Sequence, residues 1–177
     1  NQRIPPVKLS INVSAYQLAD SHFDTMICDL ATQYDLPDDL LTLEITESAL
    51  MQEMEKVLPR LKNLAQCGIG ICIDDFGVGY SSLSYLQTLP VDIIKIDRSF
   101  LACISSKTNK SCIIKAIVAM ARELGMDVIV EGVETSHQLE YIRKIGCTIV
   151  QGFLLSRPLP EKEITLLLKN EAAQATS

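Results

Sequence analysis

The sequence predicts an α/β fold: a (β/α)8 TIM-like barrel, incomplete at the N-terminus, with about six βα units present. Three observations carry this. Short β-rich runs alternate with longer stretches of helical period, the pattern of parallel strands joined by crossover helices. The runs are apolar almost throughout, as strands covered on both faces must be. Each run also carries a polar side chain near its C-terminal end. A closed barrel gathers all such ends around one mouth, whereas an open doubly wound sheet, the other architecture that fits, concentrates its ligand contacts at one switch point.

Taken in order, the first run is VKLSINVS (7–14), which holds Asn12, and a crossover helix follows over 21–34. The second run, LTLEITES (41–48), holds Glu44, and residues 51–68 then take helical period. GIGICIDDFG (68–77) finishes on the adjacent pair Asp74 and Asp75 before a glycine-bearing turn. A short helical stretch over 81–90 leads to VDIIKIDRSF (91–100), which holds Lys95. The helix of 111–125 is read with Ile113, Ile117, Met120 and Leu124 on its packed face and Gly125 as its stop. MDVIVEGVE (126–134) holds Glu131, a helix over 136–146 stops at Gly146, and CTIVQGF (147–153) holds Gln151. A last helix over 161–170 is expected to give way to a frayed tail at 171–177, with 1–177 forming one domain. Because such a barrel closes with eight strands, at least one βα unit is expected to be lost from the N-terminus.

Composition narrows the function classes. The chain of 177 residues is 47% apolar and 21% charged, as ordinary globular domains are. A net charge of −6 argues against a DNA or RNA polymer as partner. A protein of this sign that handles phosphates needs cations to mask its own field. The six cysteines (Cys28, Cys67, Cys72, Cys103, Cys112 and Cys147) include no C-x-x-C pair, and several lie in apolar runs. They are read as reduced core residues of a cytoplasmic protein. With no signal peptide and no apolar run of roughly 18 residues, no direct membrane contact is expected, although a longer parent protein is free to carry an anchor.

Polar residues are common at strand ends for no reason beyond solvation. Six runs in succession ending in acids, an amide or a lysine weaken that account. The only histidines, His22 and His137, sit at no strand end, so a histidine-rich zinc site is excluded. Carboxylate and amide oxygens select a hard cation, Mg²⁺ or Mn²⁺. A divalent ion would relieve the repulsion between Asp74 and Asp75, one of which could bridge two ions while the other holds the second. Lys95 is placed to orient an attacking water and to steady negative charge. Rival motifs fail: DFG comes without an H-R-D loop, no G-K-[ST] makes a phosphate loop, and Ser81 and Ser82 lack a partnered histidine.

INVSA, LEITES, DDFGVGYSSLSYL, KIDRSF, VEGVET and QGFLLSRPL stand in the order and spacing of the EAL domain, the bacterial cyclic di-GMP phosphodiesterase, which the chain resembles from about Leu9 to Leu159. The resemblance implies two Mg²⁺ or Mn²⁺ ions, with Asn12 and Glu44 on the first, Asp74 bridging, and Asp75 and Glu131 on the second. It implies that Lys95 binds the nucleophilic water, that Glu134 positions Lys95, and that Gln151 lines the site. Glu47 would brace the loop from Phe76 through Gly77 to Ser82, which in that family couples dimer contacts to metal binding. Val78 stands where the family usually has threonine, and the E-A-L tripeptide itself occurs nowhere in the chain. The implied activity is hydrolysis of cyclic di-GMP to linear pGpG by the parent protein, with this chain weak or inactive. The rival is a receptor that binds the nucleotide without cleaving it. Exposed barrel edges add the expectation of a homodimer or a swapped assembly.

Overall fold

The structure is a computed structural model that describes residues 6–79, 83–104 and 111–175. Its centre is one sheet of six strands: β1 (Leu9–Val13), β2 (Leu41–Thr46), β3 (Gly70–Phe76), β4 (Ile93–Ile96), β5 (Asp127–Val130) and β6 (Ile149–Val150). They lie side by side in chain order and every pair is parallel. Parallel neighbours require a crossover between them. The crossovers are α1 (Ala15–Ala19) and α2 (Phe23–Gln33), α3 (Glu47–Gln52) and α4 (Met54–Gln66), α5 (Leu83–Leu86), a 3₁₀ turn (Arg98–Cys103) with α6 (Ser111–Glu123), and α7 (Ser136–Lys144); α8 (Glu161–Ala175) closes the chain. This is part of a (β/α)8 barrel, as the sequence predicts.

Local chemistry explains the elements. β-branched isoleucine and valine fill the strands and favour extended backbone. Ile45, Ile71, Ile73, Ile94 and Ile96 are wholly buried, each contributing about 1.5–3 kcal/mol relative to exposure. Ser14 and Gln17 form a capping box at α1, and Thr135 and Gln138 form another at α7. In α4, Val57, Leu61 and Leu64 recur at helical spacing and are buried. Two neighbours cover β2, β3, β4 and β5, whereas β1 is bonded on one side, and its Leu9 and Ile11 stay 59% and 45% exposed.

Several expectations need correction. Cys28 of α2 and Cys67 at the end of α4 are joined in a disulfide, their Cα atoms 5.8 Å apart, so the cysteines are not all reduced. A sequence separation of 39 hid that proximity. Cys72 and Cys147 are buried thiols as expected, while the side chains of Cys103 and Cys112 lie outside the described residues. On α6 the buried face is Ile114, Ile117, Val118 and Ala121, and Ile113 is exposed. That helix is apolar on most sides, so periodicity left its phase open. The stretch after β2 is two helices rather than one, and α8 continues past Asn170 to Ala175. No helix among the described residues is long and apolar enough to cross a membrane.

Candidate metal and active site

Because all strands run the same way, their C-terminal ends share one rim. Asn12 lies beside Glu44 in register and is exposed on the edge strand. Lys95 of β4 is 4% exposed, and its Nζ sits among three carboxylates, from β2, β3 and the residue just after β5. It lies 2.9 Å from Glu44 Oε2, 3.3 Å from Asp74 Oδ1 and 2.6 Å from Glu131 Oε1. Burial alone would lower its pKa, but hydrogen bonds to Glu131 and Glu44 and the charge of Asp74 outweigh this and raise it. The ammonium stays charged at any physiological pH.

Adjacent strand residues should point to opposite faces, yet Asp74 and Asp75 reach the same place. The reason is a bulge. Between Ile73 and Phe76 the register with β4 slips by an extra residue, and Asp75 adopts a φ of 55°. Aspartate tolerates this left-handed conformation better than most residues. The Asp75 N–H donates to Asp74 Oδ1 at 3.0 Å. One oxygen each of Asp74, Asp75 and Glu131 then lies within 4.8 Å of the others.

Such crowding has an electrostatic cost. Desolvation and the charges of Asp74 and Asp97 raise the Asp75 carboxyl above its ordinary range. Desolvation also raises Glu131, against the opposing pull of Lys95. Three hard oxygen donors converging from β3 and β5, whose charge one lysine does not neutralise, fit a divalent cation. Cys72, beneath the cluster, is an unsuitable nucleophile: burial and the Glu44 charge push its thiol far up.

Glu47, at the first turn of α3, is 2% exposed. Its carboxylate accepts from Gly77 N–H at 3.0 Å and from Tyr85 Oη at 3.2 Å, linking α3 to both ends of the turn after β3. Gly77 has a φ of 92°, and a Cβ there would lie 2.8 Å from the Phe100 ring, so this position requires glycine. Phe76 is a buried core residue. The rest of the expected loop, residues 80–82, lies outside the described residues.

Glu134 is exposed at the start of α7, and Lys95 forms no ion pair with it. Glu134, Gln151 and Glu131 instead line one cavity of about 250 Å³ beside the carboxylate cluster. Asp97, Arg98 and Phe153 complete most of its wall. Sequence reasoning passed over these three and Tyr85, because none stands at the reactive position of its strand.

The EAL domain family model matches residues 1–158. The bifunctional diguanylate cyclase/cyclic di-GMP phosphodiesterase MucR of Pseudomonas aeruginosa is 40% identical over 156 residues, 88% of this chain and 23% of MucR. The cyclic di-GMP phosphodiesterase NbdA of the same organism is 42% identical over 154 residues, 87% of this chain and 20% of NbdA. The chain thus spans about a fifth to a quarter of the length of these relatives. The solved MucR phosphodiesterase in complex with c-di-GMP superposes with a TM-score of 0.84 at 39% identity, covering 89% of this chain and 64% of that one. The manganese/cy-diGMP complex of Klebsiella pneumoniae BlrP1 gives a TM-score of 0.79 at 31% identity, covering 87% of this chain and 40% of that one. By sequence, fold and the family model together, the chain belongs to the EAL domain family.

Proposed function

We propose that this chain forms the catalytic core of a phosphodiesterase that hydrolyses cyclic di-GMP to linear pGpG. The observation that carries the reading is the convergence of Glu44, Asp74, Asp75 and Glu131 around the buried Lys95 at one rim. It is supported by relatives named as cyclic di-GMP phosphodiesterases and by the c-di-GMP complex of MucR. Asn12, Glu44, Asp74, Asp75 and Glu131 are the residues that would hold Mg²⁺ or Mn²⁺ at this rim. Bound there, two such ions would polarise the phosphoryl group and lower the pKa of an attacking water.

The chain's own groups do the rest. Four carboxylates against one ammonium leave the rim net negative, so it repels a dianionic nucleotide until cations are present. Lys95, hydrogen-bonded to Glu44 and Glu131, keeps one of its three N–H donors to orient a water beside Asp74, and its charge offsets the negative charge of the transition state. Glu47 holds the turn after β3, and with it the Asp74–Asp75 bulge. Glu134 and Gln151, on the cavity wall, contact the nucleotide beyond the scissile bond. A receptor would need nucleotide contacts but not a buried lysine among metal-binding acids, which favours the enzyme. With Mn²⁺ and the full-length parent, Asp74→Ala is expected to lower turnover at least a hundredfold. Unchanged turnover would overturn the assignment; tight nucleotide binding without product would favour the receptor.

Assembly is a second reading, favoured by a groove of about 440 Å³ between β1 and α2. Its lining is apolar, including Leu9, Ile11, Leu30 and Tyr34, all of them exposed. A strand with one open edge beside such a patch invites association, and the reading is a homodimer or swapped assembly through this edge. Sedimentation velocity is expected to give a dimer that Leu9→Lys converts to monomer. A wild-type monomer at tens of micromolar would sink it.

A further inference from the structure

Two rungs join α2 to α4, and they lie one helical turn apart on both helices. The first is a hydrogen bond: Asn63 Nδ2 donates to Asp24 Oδ2 at 2.7 Å, and Asp24 is buried. Four residues further along each helix stands the second, the bond between Cys28 and Cys67. Their Cα atoms are 5.8 Å apart, inside the range of about 4.4–6.8 Å that a disulfide needs. The bond can therefore open and close without the helices first moving apart.

Burial fastens the two halves of α2 unequally. Phe23 and Asp24, at its start, are its only buried residues. Beyond them Ile27, Cys28 and Ala31 are half-buried, while Met26 and Leu30 are exposed. α4, by contrast, buries Val57, Leu61 and Leu64 along its length. Segments with little buried apolar surface are the first to open. The C-terminal half of α2 is thus held to the domain chiefly by the bond from Cys28 to Cys67.

The same pair is within reach of dissolved reagents. Cys28 and Cys67 are half-buried, whereas the free thiols Cys72 and Cys147 are buried. Thiol–disulfide exchange requires that the attacking sulfur reach its target. Among the described cysteines, exchange with a thiol or disulfide in solution therefore falls on Cys28 and Cys67.

We propose that Cys28 and Cys67 form a reversible redox modification site, whose co-reactant is a low-molecular-weight thiol–disulfide couple, and that its state fastens or frees the C-terminal half of α2. On oxidation, one cysteine thiolate attacks the small disulfide and displaces a thiolate. The second cysteine then attacks the mixed disulfide and displaces the other. Two electrons and two protons pass from the cysteine pair to the small disulfide, which leaves as two thiols; reduction is the reverse. The consequence falls on the groove between β1 and α2. Ile27, Leu30, Ala31 and Tyr34 supply one wall of that groove, and Cys28 is not in its lining. The oxidised chain keeps this wall in place and the reduced chain releases it. Nothing in this depends on the phosphodiesterase reading.

The test equilibrates the full chain in mixtures of reduced and oxidised glutathione and follows the peptides that carry Cys28 and Cys67 by differential alkylation and mass spectrometry. The pair is expected to pass from bonded to free as the reduced fraction rises. Hydrogen–deuterium exchange then compares the two end states. Amides of 27–33 should exchange about tenfold faster, or more, once the bond is open, with those of β3 and β4 unchanged. Cys28→Ser should exchange like the reduced chain in every mixture. A bond that persists in excess reduced glutathione, or one that never forms in oxidised glutathione, would overturn the switch. Equal exchange of 27–33 in the two states would overturn the fastening role. The reduced wild-type chain supplies that readout even where Cys28→Ser does not fold.

Discussion

Lys95→Met is expected to destabilise the metal-free chain by about 3–5 kcal/mol, the cost of stripping the partner from a buried ion cluster. Methionine keeps the length of the side chain, so the loss is electrostatic rather than a cavity. Three carboxylates within 3.3 Å of the ammonium are left facing one another. The pH dependence follows from the direction of the shift. The folded pKa of Lys95 is raised above its unfolded value of about 10.4, so its contribution is complete below that pH and is lost only as pH climbs through the folded value. Wild-type Lys95 thus adds no slope between pH 5 and 9. In the variant, carboxylates without a cation have raised folded pKa values, so stability rises as pH falls and they protonate. Mn²⁺ should restore part of the loss, since a divalent cation supplies the missing charge. Urea melts at pH 5.5 and 8, with and without Mn²⁺, read all of this. A variant as stable as wild type at pH 8, or indifferent to Mn²⁺, would mean the cluster does not carry the charge balance assigned to it.

Gly152→Ala is expected to cost more than about 4 kcal/mol, the range reserved for gross steric or buried-polar damage. A Cβ there would lie 2.2 Å from the Val133 carbonyl oxygen and 2.3 Å from its nitrogen. These are backbone atoms already committed to hydrogen bonds with Leu154 and Gln151, so they cannot swing aside as a side-chain tip would. Pushing apart the two segments that follow β5 and β6 would unseat Gln151 and Phe153 together. Gly125→Ala is the matched control: nothing lies within 4 Å of its Cβ, and its φ of 74° alone costs about 1–2 kcal/mol. Thermal melts of the two variants should separate by roughly 4–12 °C, a difference of about 2–3 kcal/mol at about 2–4 °C per kcal/mol in a chain of this size. Equal melting temperatures would show that the backbone contact is not rigid.

The fold was legible because its signals are local. Apolar β-branched runs, helical stretches of the right length and glycine stops placed six strands in order, and parallel pairing followed from the crossovers. The residues gathered at the rim were legible for the same reason: parallel strands align their ends, so a polar residue near each strand's end is brought to one place. Less legible were features set by packing. The face of α6 was ambiguous because Ile113 and Ile114 are adjacent and equally apolar. The Cys28–Cys67 bond joins helices 39 residues apart in sequence. Phe153 and Arg98 enter the cavity only when the chain beyond β6 meets the 3₁₀ turn after β4.

The sequence by itself determined the strand order, the rim and the donor chemistry of Asn12, Glu44, Asp74, Asp75, Lys95 and Glu131, since alternation and residue type suffice for these. Tertiary structure alone decided how they meet. A one-residue bulge and a left-handed Asp75 bring both neighbouring carboxylates to the same point of the rim, and Lys95 pairs with Glu131 rather than Glu134. Such choices depend on backbone register and on which charges share a low-dielectric space, and neither is written in any local stretch of residues.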